Sequence, residues 1–544
     1  MKNMKRIKRI KYFLIVLALF ASCTKLDEKD VLYDTVIQDN FLKTDAELAS
    51  AVAAAYTPLY GFGGNNHQIP LNEVTTDEVV VPTKGPDWGD GGHWVRLQTH
   101  TYRKDDGTPN NGWNFCYGGI SSCNKLLDIL KTSTSTSAPA YIAELKALRA
   151  IYYYWLLDWF GRVPVVTDFL ATTPPANKTR PEVYAFVESE LIAAIATLPR
   201  VGPQDGPLYG RVTRYVAWAA LAKLYLNAQV YKGTAEWDKC IAACDTVINA
   251  GKYTLSPNYS DVFSRNNTGN PEIIWAVPFD GIKAGGMNID MMTLHLNSAQ
   301  QYNIDAQPWN GFSTIQEFYQ SYIDSVQNPG PTGPVIGLTP NGAISRGTLD
   351  KRMLNNFLVG PQFAVDGSRV LDGGADASDP DGAPLTFTPY INELQPNAWR
   401  QSGARIFKWN FYNGMHQNMD NDWAIFRLGD ILLTKAEATA RKNNNWNDLV
   451  TLALVNQIRA RAGVFPLVTL TAASFAAERG REVFCECFKR QDMIRFGTYN
   501  SAWRFHNADP VDNLGPGGIN HLNVFPIPET QLNANKNLTQ NPGY

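Results

Sequence analysis

The sequence predicts a mainly α protein: a helical scaffold at both ends, with tetratricopeptide-like helix pairs, around a loop-rich, irregular middle. Three observations predict it. Long segments near both ends repeat apolar residues at i, i+3 and i+4, the spacing of a helix that buries one face. Two stretches share one plan. TRYVAWAALAKLYLNAQVY runs into EWDKCIAACDTVINAGKY, and RLGDILLTKAEATARKN runs into NWNDLVTLALVNQIRARAG. Each is an Ala- and Leu-rich helix, a short polar loop, a Trp (Trp237 or Trp446) and a second helix, the helix–turn–helix unit that stacks in repeat proteins. Finally, residues 256–424 are broken by runs such as GIKAGGMN and DGGADASDPDGAP, composition that favours loops.

In chain order, residues 1–22 read as an export signal. MKNMKRIKRIK carries six basic residues and no acid, and YFLIVLALFA follows, the n- and h-regions of a signal peptide. The apolar run falls short of the roughly 20 residues a bilayer span needs. Ala21 and Ser22 stand just before Cys23, an arrangement that resembles the lipobox of bacterial lipoproteins. That resemblance implies lipidation of Cys23, with residues 23–40 as a polar tether. Two or more acyl chains anchor stably.

Residues 41–255 form the N-terminal helical part. Thr44 with Glu47 makes a capping box for a helix of about 16 residues. A Gly-, Asp- and Trp-rich stretch from Gly61 to Asn114 reads as loop. Helices resume with FCYGGISSCNKLLDILK and PAYIAELKALRAIYYYWLLDWFG, the latter with a stripe of Leu145, Leu148, Tyr152, Trp155 and Trp159. RPEVYAFVESELIAAIATLP continues the pattern, with Pro181 in its first turn. In residues 256–424 one segment, PEIIWAVPF, reads as a strand. Residues 425–544 hold the second helix pair and a Pro- and Asn-rich tail expected to pack extended. One compact globular body is expected.

A net charge of −2 gives no support for nucleic-acid binding. Six cysteines follow Cys23: Cys116, Cys123, Cys240, Cys244, Cys485 and Cys487. Their spacing suggests buried free thiols, with the last two on a helix. No CxxC, HExxH, GxSxG, Walker or GxGxxG motif occurs, so no cofactor, metal centre or catalytic group is expected. Glu478, Glu482 and Glu486 lie at i, i+4 and i+8. On one helix face such like charges repel, so a buried network with Arg427, Arg459, Arg461 and Arg479 is expected rather than a glycosidase pair. Asp77 and Glu78 point opposite ways in extended chain. Asp372, Asp376, Asp379 and Asp381 offer hard oxygen ligands to calcium, but without the closing Glu of an EF-hand.

The ordered motifs resemble the SusD/RagB family of Bacteroidetes outer-membrane nutrient-binding lipoproteins. They are the lipobox Cys23 followed by LDE, ELKALRAIYYYWLLDWFGRVPVV, GRVTRYVAWAALAKLYL, then RLGDILLTKAEA, NQIRARAG and ERGREVFCECFKRQDMIRFG, and finally PIPETQL with QNPGY. Two positions depart from the family pattern, with Cys487 replacing a Gly and Lys489 an Arg. The resemblance implies a non-enzymatic glycan-binding lipoprotein at the cell surface, lipid-anchored in the outer membrane. It implies delivery of oligosaccharides or polysaccharides to a partner SusC-like TonB-dependent transporter. Peptide or other nutrient binding by the same assembly is the alternative, and an exported glycoside hydrolase is a remoter one.

A sugar site needs aromatic faces for C–H stacking and polar groups for hydroxyls. Two loops qualify. PDWGDGGHWVRLQ offers Trp88 and Trp94 with Asp87, Asp90, His93 and Arg96. QQYNIDAQPWNG offers Tyr302 and Trp309 with Asn310 and Asp305. In the resembled family, binding aromatics come from comparable places. Trp113 and Trp275 sit in apolar settings and are expected in the core.

Overall fold

The structure is a computed structural model, and it describes residues 44–324, 335–338, 344–346, 348–372 and 384–544. The export signal, Cys23 and the tether lie outside the described residues. Helix α1 (Asp45–Ala53) starts on the expected capping box: Thr44 Oγ1 accepts from Glu47 N, and Glu47 returns the bond. It is shorter than the sequence suggests, because the chain tightens into 3₁₀ geometry over Ala54–Gly61, around Pro58. A short helix α2 (His93–Gln98) follows a run of turns, and α3 (Gly107–Leu130) begins earlier than expected.

Helices α3, α4 (Ala138–Trp159), α5 (Arg180–Ile195), α6 (Arg214–Leu226) and α7 (Trp237–Ile248) pack each on the next. The layer then continues through α8 (Leu428–Lys442) and α9 (Leu449–Ala462). The two tetratricopeptide-like pairs, α6–α7 and α8–α9, are thus neighbours, joined where α8 packs on α7. Arg441 marks the junction: its guanidinium lies 5.7 Å from the rings of both Trp237 and Trp446. A cation over two indole faces is favourable and explains why both pairs place a Trp at the same point.

α4 is buried beyond its predicted stripe. From Ala147 to Trp159 every residue is buried, so this helix is the centre of the core rather than an amphipathic surface helix. Gly119 lets α3 approach it closely: a Cβ there would lie 2.2 Å from Tyr152 Cζ. One apolar cluster runs from Leu48 to Leu538, and Trp113 and Trp275 belong to it as expected.

The middle segment returns to the helices through short antiparallel ribbons. Strand β1 (Val79–Val80) pairs with β3 (Ser313–Thr314), and β2 (Ile273–Val277) with β4 (Trp423–Arg427). β2 is the predicted strand. β4 runs directly into α8, so the sequence shows only its helical continuation. The tail is largely extended, with one short helix at Glu529–Ala534. It is tied to the end of α4 by Phe525 N donating to Trp159 O at 2.7 Å and Asn541 Nδ2 to Phe160 O at 2.8 Å.

The glutamate cluster is a buried ion network. Glu478 accepts from Arg352 and Arg459 at 2.7 and 2.6 Å, and Glu482 from Arg352 and Arg427 at 3.0 and 2.7 Å. Arg427 also reaches Glu486 at 2.6 Å, beside Lys408 at 2.5 Å. Arg461 bridges Glu482 and Glu272. The surrounding guanidinium groups, Arg352 foremost for Glu478 and Arg461 for Glu482, outweigh desolvation and hold both carboxyls below the usual range. With every oxygen engaged and no solvent access, this is scaffold, not an acid–base pair.

Three expectations need correction here. Helix α10 (Ala472–Glu482) ends before Glu486, so the three glutamates do not share a helix face. Arg479 pairs instead with Asp430 and Asp492, each at 2.7 Å. Cys485 and Cys487 are not helical either; both adopt left-handed backbone, at φ 55° and 67°. That turn aims the Cys485 and Cys487 N–H groups at the buried carboxyl groups of Glu78 and Glu73, at 2.6 and 2.5 Å. Lys489, opening helix α11 (Lys489–Phe496), sits 2.9 Å from Asp77 and 3.8 Å from Glu78. All six described cysteines are buried free thiols.

Candidate functional site

The two candidate loops are far apart in sequence and touch in space. The first leaves β1 and makes a tight turn in which Lys84 and Asp87 exchange backbone hydrogen bonds at 3.0 and 3.1 Å. Trp88 follows at φ 60° and Asp90 at φ 37°, then Gly91 and Gly92 at 62° and 78°. This run of left-handed backbone explains the glycines, which carry no Cβ penalty there. It ends in α2, which presents Trp94 and Arg96 one turn inside.

The second loop is clamped before β3. Trp309 N donates to Met291 O at 2.6 Å and Gly311 N to Met292 O at 2.8 Å. The loops are joined by the Trp88 indole N–H, which donates to Trp309 O, and by Lys84 Nζ, which donates to Asn310 O at 2.8 Å and Gly311 O at 3.1 Å. The Trp88 ring lies directly on Gly311, where a Cβ would meet Cε2 at 2.2 Å. Trp88, Trp94 and Phe312 form a three-ring cluster with centroid separations of 5.2, 5.5 and 5.4 Å.

The predicted residues divide. Trp88, Trp309 and Tyr302 are half-buried, Asp90 is exposed, and Asp87 and Arg96 are intermediate. Asn310 is 0% exposed and offers no surface to a ligand, so it is corrected to a support; Trp94 is 3% exposed and shows only an edge, in the lining of the cleft described below. Trp94 is held by Phe312 and by its Nε1 donating to Asp90 Oδ2 at 2.7 Å. Asn310 is held inside by its left-handed turn and by Lys84 on its carbonyl. Tyr302 packs edge-on against Phe411 at 5.6 Å, and His416 pairs with nearby-in-sequence Asp305 at 2.6 Å.

Beside the ring cluster lies a polar cleft of about 480 Å³, whose lining includes Asn65, Asn66, Asp90, His93, Arg96 and Arg103. Arg96 is fixed by Asp106 and by donating to Gly91 O at 2.7 Å. Burial lowers the His93 pKa, so its imidazole is neutral at neutral pH and both donates and accepts. The sequence reading missed a third segment. Residues 390–400 pack on the first loop, with Thr83 N donating to Leu394 O at 2.9 Å and Arg400 lying 3.5 Å from Asp87. They carry Tyr390 and Trp399, 6.0 Å apart between centroids, with Tyr390 exposed. The available signal was a Trp next to Arg in a Pro- and Asn-rich stretch.

The calcium reading finds no support at Asp372, which is buried 3.1 Å from His295 Nε2; Asp376, Asp379 and Asp381 lie outside the described residues.

Comparisons with known proteins agree with this architecture. A model described as the SusD family matches residues 271–544, the C-terminal half of the chain, and one described as "Starch-binding associating with outer membrane" matches residues 30–226. The chain is 27% identical over 449 residues to the starch-binding protein SusD of Bacteroides thetaiotaomicron, covering 78% of this chain and 76% of that one. It is 25% identical over 456 residues to SusD-like protein P25 of Formosa agariphila, covering 79% of each. Among solved structures, a laminarin-binding SusD-like protein superposes with a TM-score of 0.69 at 21% identity, over 92% of this chain and 100% of that one. Surface glycan-binding protein A of B. thetaiotaomicron, solved with laminarihexaose, gives 0.69 at 20% identity over 91% and 99%. With the helical layer, the ribbons and the ordered motifs all in place, the chain belongs to the SusD family.

Proposed function

We propose that this protein captures glycans at the outer-membrane surface and hands them to a SusC-like TonB-dependent transporter, anchored by a lipid on Cys23. The observation that carries the reading is the convergence of the two loops. The Trp88 indole reaches the Trp309 backbone and packs on Trp94, which lines a cleft of amides, carboxylates and guanidinium groups. Partly exposed indoles at the loop edge supply apolar surface for sugar C–H groups, and the fixed polar groups supply directional bonds to hydroxyls. The names of its relatives point the same way: one binds starch, another laminarin, and one is solved with laminarihexaose. The reading assigns no turnover, since the clustered glutamates are consumed by the internal ion network.

The test is tryptophan fluorescence titrated with malto- and laminari-oligosaccharides. A saturable change that Trp309→Ala removes is expected. Release of shortened sugars would instead mark a hydrolase.

A further inference from the structure

A buried cluster of three metal-ligating side chains lies behind the first loop. His100 stands two residues after α2, at φ 52°. His506 and Asp509 come from a turn in which Trp503 and His506 exchange backbone hydrogen bonds, each at 3.0 Å. His100 Nδ1 lies 2.7 Å from Asp509 Oδ2, and His506 Nε2 lies 3.6 Å from Asp509 Oδ1. One ligand atom from each of the three falls within 4.8 Å of the others. The histidines are 2% and 4% exposed.

Hydrogen bonding makes this cluster incomplete as it stands. His100 Nε2 faces only the carbonyl of Thr75, at 2.9 Å, and so carries the ring proton. In the neutral ring this leaves the Nδ1 lone pair pointed at a carboxylate. His506 is buried with its Nδ1 unpaired and its Nε2 held no closer than 3.6 Å to Asp509 Oδ1, a poorly satisfied state. Asp509 is itself oriented by Asn500 Nδ2 at 2.9 Å. A cation between the three groups removes both conflicts at once. A ligating His whose other N–H donates to a backbone carbonyl, and a carboxylate held by an amide, are the usual outer partners of a bound metal.

We propose that His100, His506 and Asp509 form a site for a divalent late transition ion, zinc foremost. Two imidazoles and one carboxylate suit zinc's preference for nitrogen and oxygen donors. The Asp509 side chain, at 5% exposed, is the least buried of the three. The ion would tie the turn after α2 to the C-terminal segment, and so brace the helix that carries Trp94 and Arg96. The inference is independent of what the cleft binds.

The test uses the mature chain without a histidine tag, stripped with chelator and titrated with Zn²⁺ alone by calorimetry. One equivalent is expected to bind and to raise the melting temperature, and Co²⁺ is expected to give a visible absorption band. His506→Ala should abolish the stoichiometric site, a larger effect than the about 10–100-fold that loss of an outer partner costs. Asp509→Asn keeps the side chain's shape and should fold even where His506→Ala does not; it should likewise lose binding. Absence of saturable Zn²⁺ binding by the unaltered chain would overturn the proposal, as would binding retained by both variants.

Discussion

The indole N–H of Trp88 donates to the backbone carbonyl of Trp309, 221 residues away in sequence. That bond, with Lys84 on the next two carbonyls, fixes the distance between two aromatic loops. It also means that Trp88 is partly structural: its ring is wedged against Gly311, Trp94 and Phe312.

The tryptophans should therefore separate by mutation. Trp94→Ala removes a 3%-exposed ring and should cost about 3–5 kcal/mol of stability. Trp88→Phe keeps a ring but loses the inter-loop bond, and should cost about 1 kcal/mol. Trp309→Ala should leave the melting temperature nearest to the parent. Thermal melts of the three variants check the order.

Glu482→Gln leaves Arg352, Arg427 and Arg461 facing a neutral amide in a sealed interior. Breaking one partner of a buried network costs about 3–5 kcal/mol. Denaturant unfolding at neutral pH should show a loss of this size. Because the folded-state pKa is depressed, that stabilisation is present above the unfolded value, about 4.3, and is lost as pH falls through the lower folded value.

Glu78 has the opposite sign. Burial pushes its carboxyl up to about 8. Its contribution is fully present below the unfolded pKa and is lost as pH rises through the folded one. Stability should thus decline between about pH 5 and 8, by up to about 1.4 kcal/mol per unit. Glu78→Gln should lessen that decline, the neighbouring buried Glu73, also pushed up by burial and by Glu78, supplying the rest. Melting temperatures measured across this range in parent and variant test it.

Cys487 stands at φ 67°, where a side chain costs about 1–2 kcal/mol. Cys487→Gly relieves that cost while losing a small buried thiol, so it should change stability by no more than about 1 kcal/mol. Cys487→Val adds a β-branch in the same conformation and should be clearly worse. Comparing the two unfolding midpoints decides whether backbone strain or thiol packing dominates.

Cys23→Ala should leave the folded body unchanged and shift the protein from the membrane to the soluble fraction, read by fractionation of cells lacking the partner transporter. Full retention on the membrane would contradict the anchor.

Much of the scaffold was legible because helices announce themselves locally. The Thr44–Glu47 box, the two Trp-marked pairs and the strand at Ile273–Val277 could all be read from spacing. What was hidden depends on tertiary contact. β4 carries no break before α8, so only its partner β2 reveals it. The turn at Cys485 and Cys487 looks helical by composition and is set by Glu73 and Glu78, over 400 residues away. At the candidate site, residue types picked two loops that the structure brings into contact, but not their burial. Nothing in DWGDGGHW says that Trp94 turns inward onto Phe312 while Trp88 stays at the edge. The 390–400 segment was missed because its aromatic pair matters only through Arg400 and Asp87.

The most direct measurement is affinity electrophoresis of the folded body through a panel of polysaccharides, the parent beside Trp309→Ala. The account predicts that one glycan class retards the parent and that the variant, with its melting temperature preserved, runs free. Retardation that Trp309→Ala leaves untouched would contradict the assignment of the site to the converging loops.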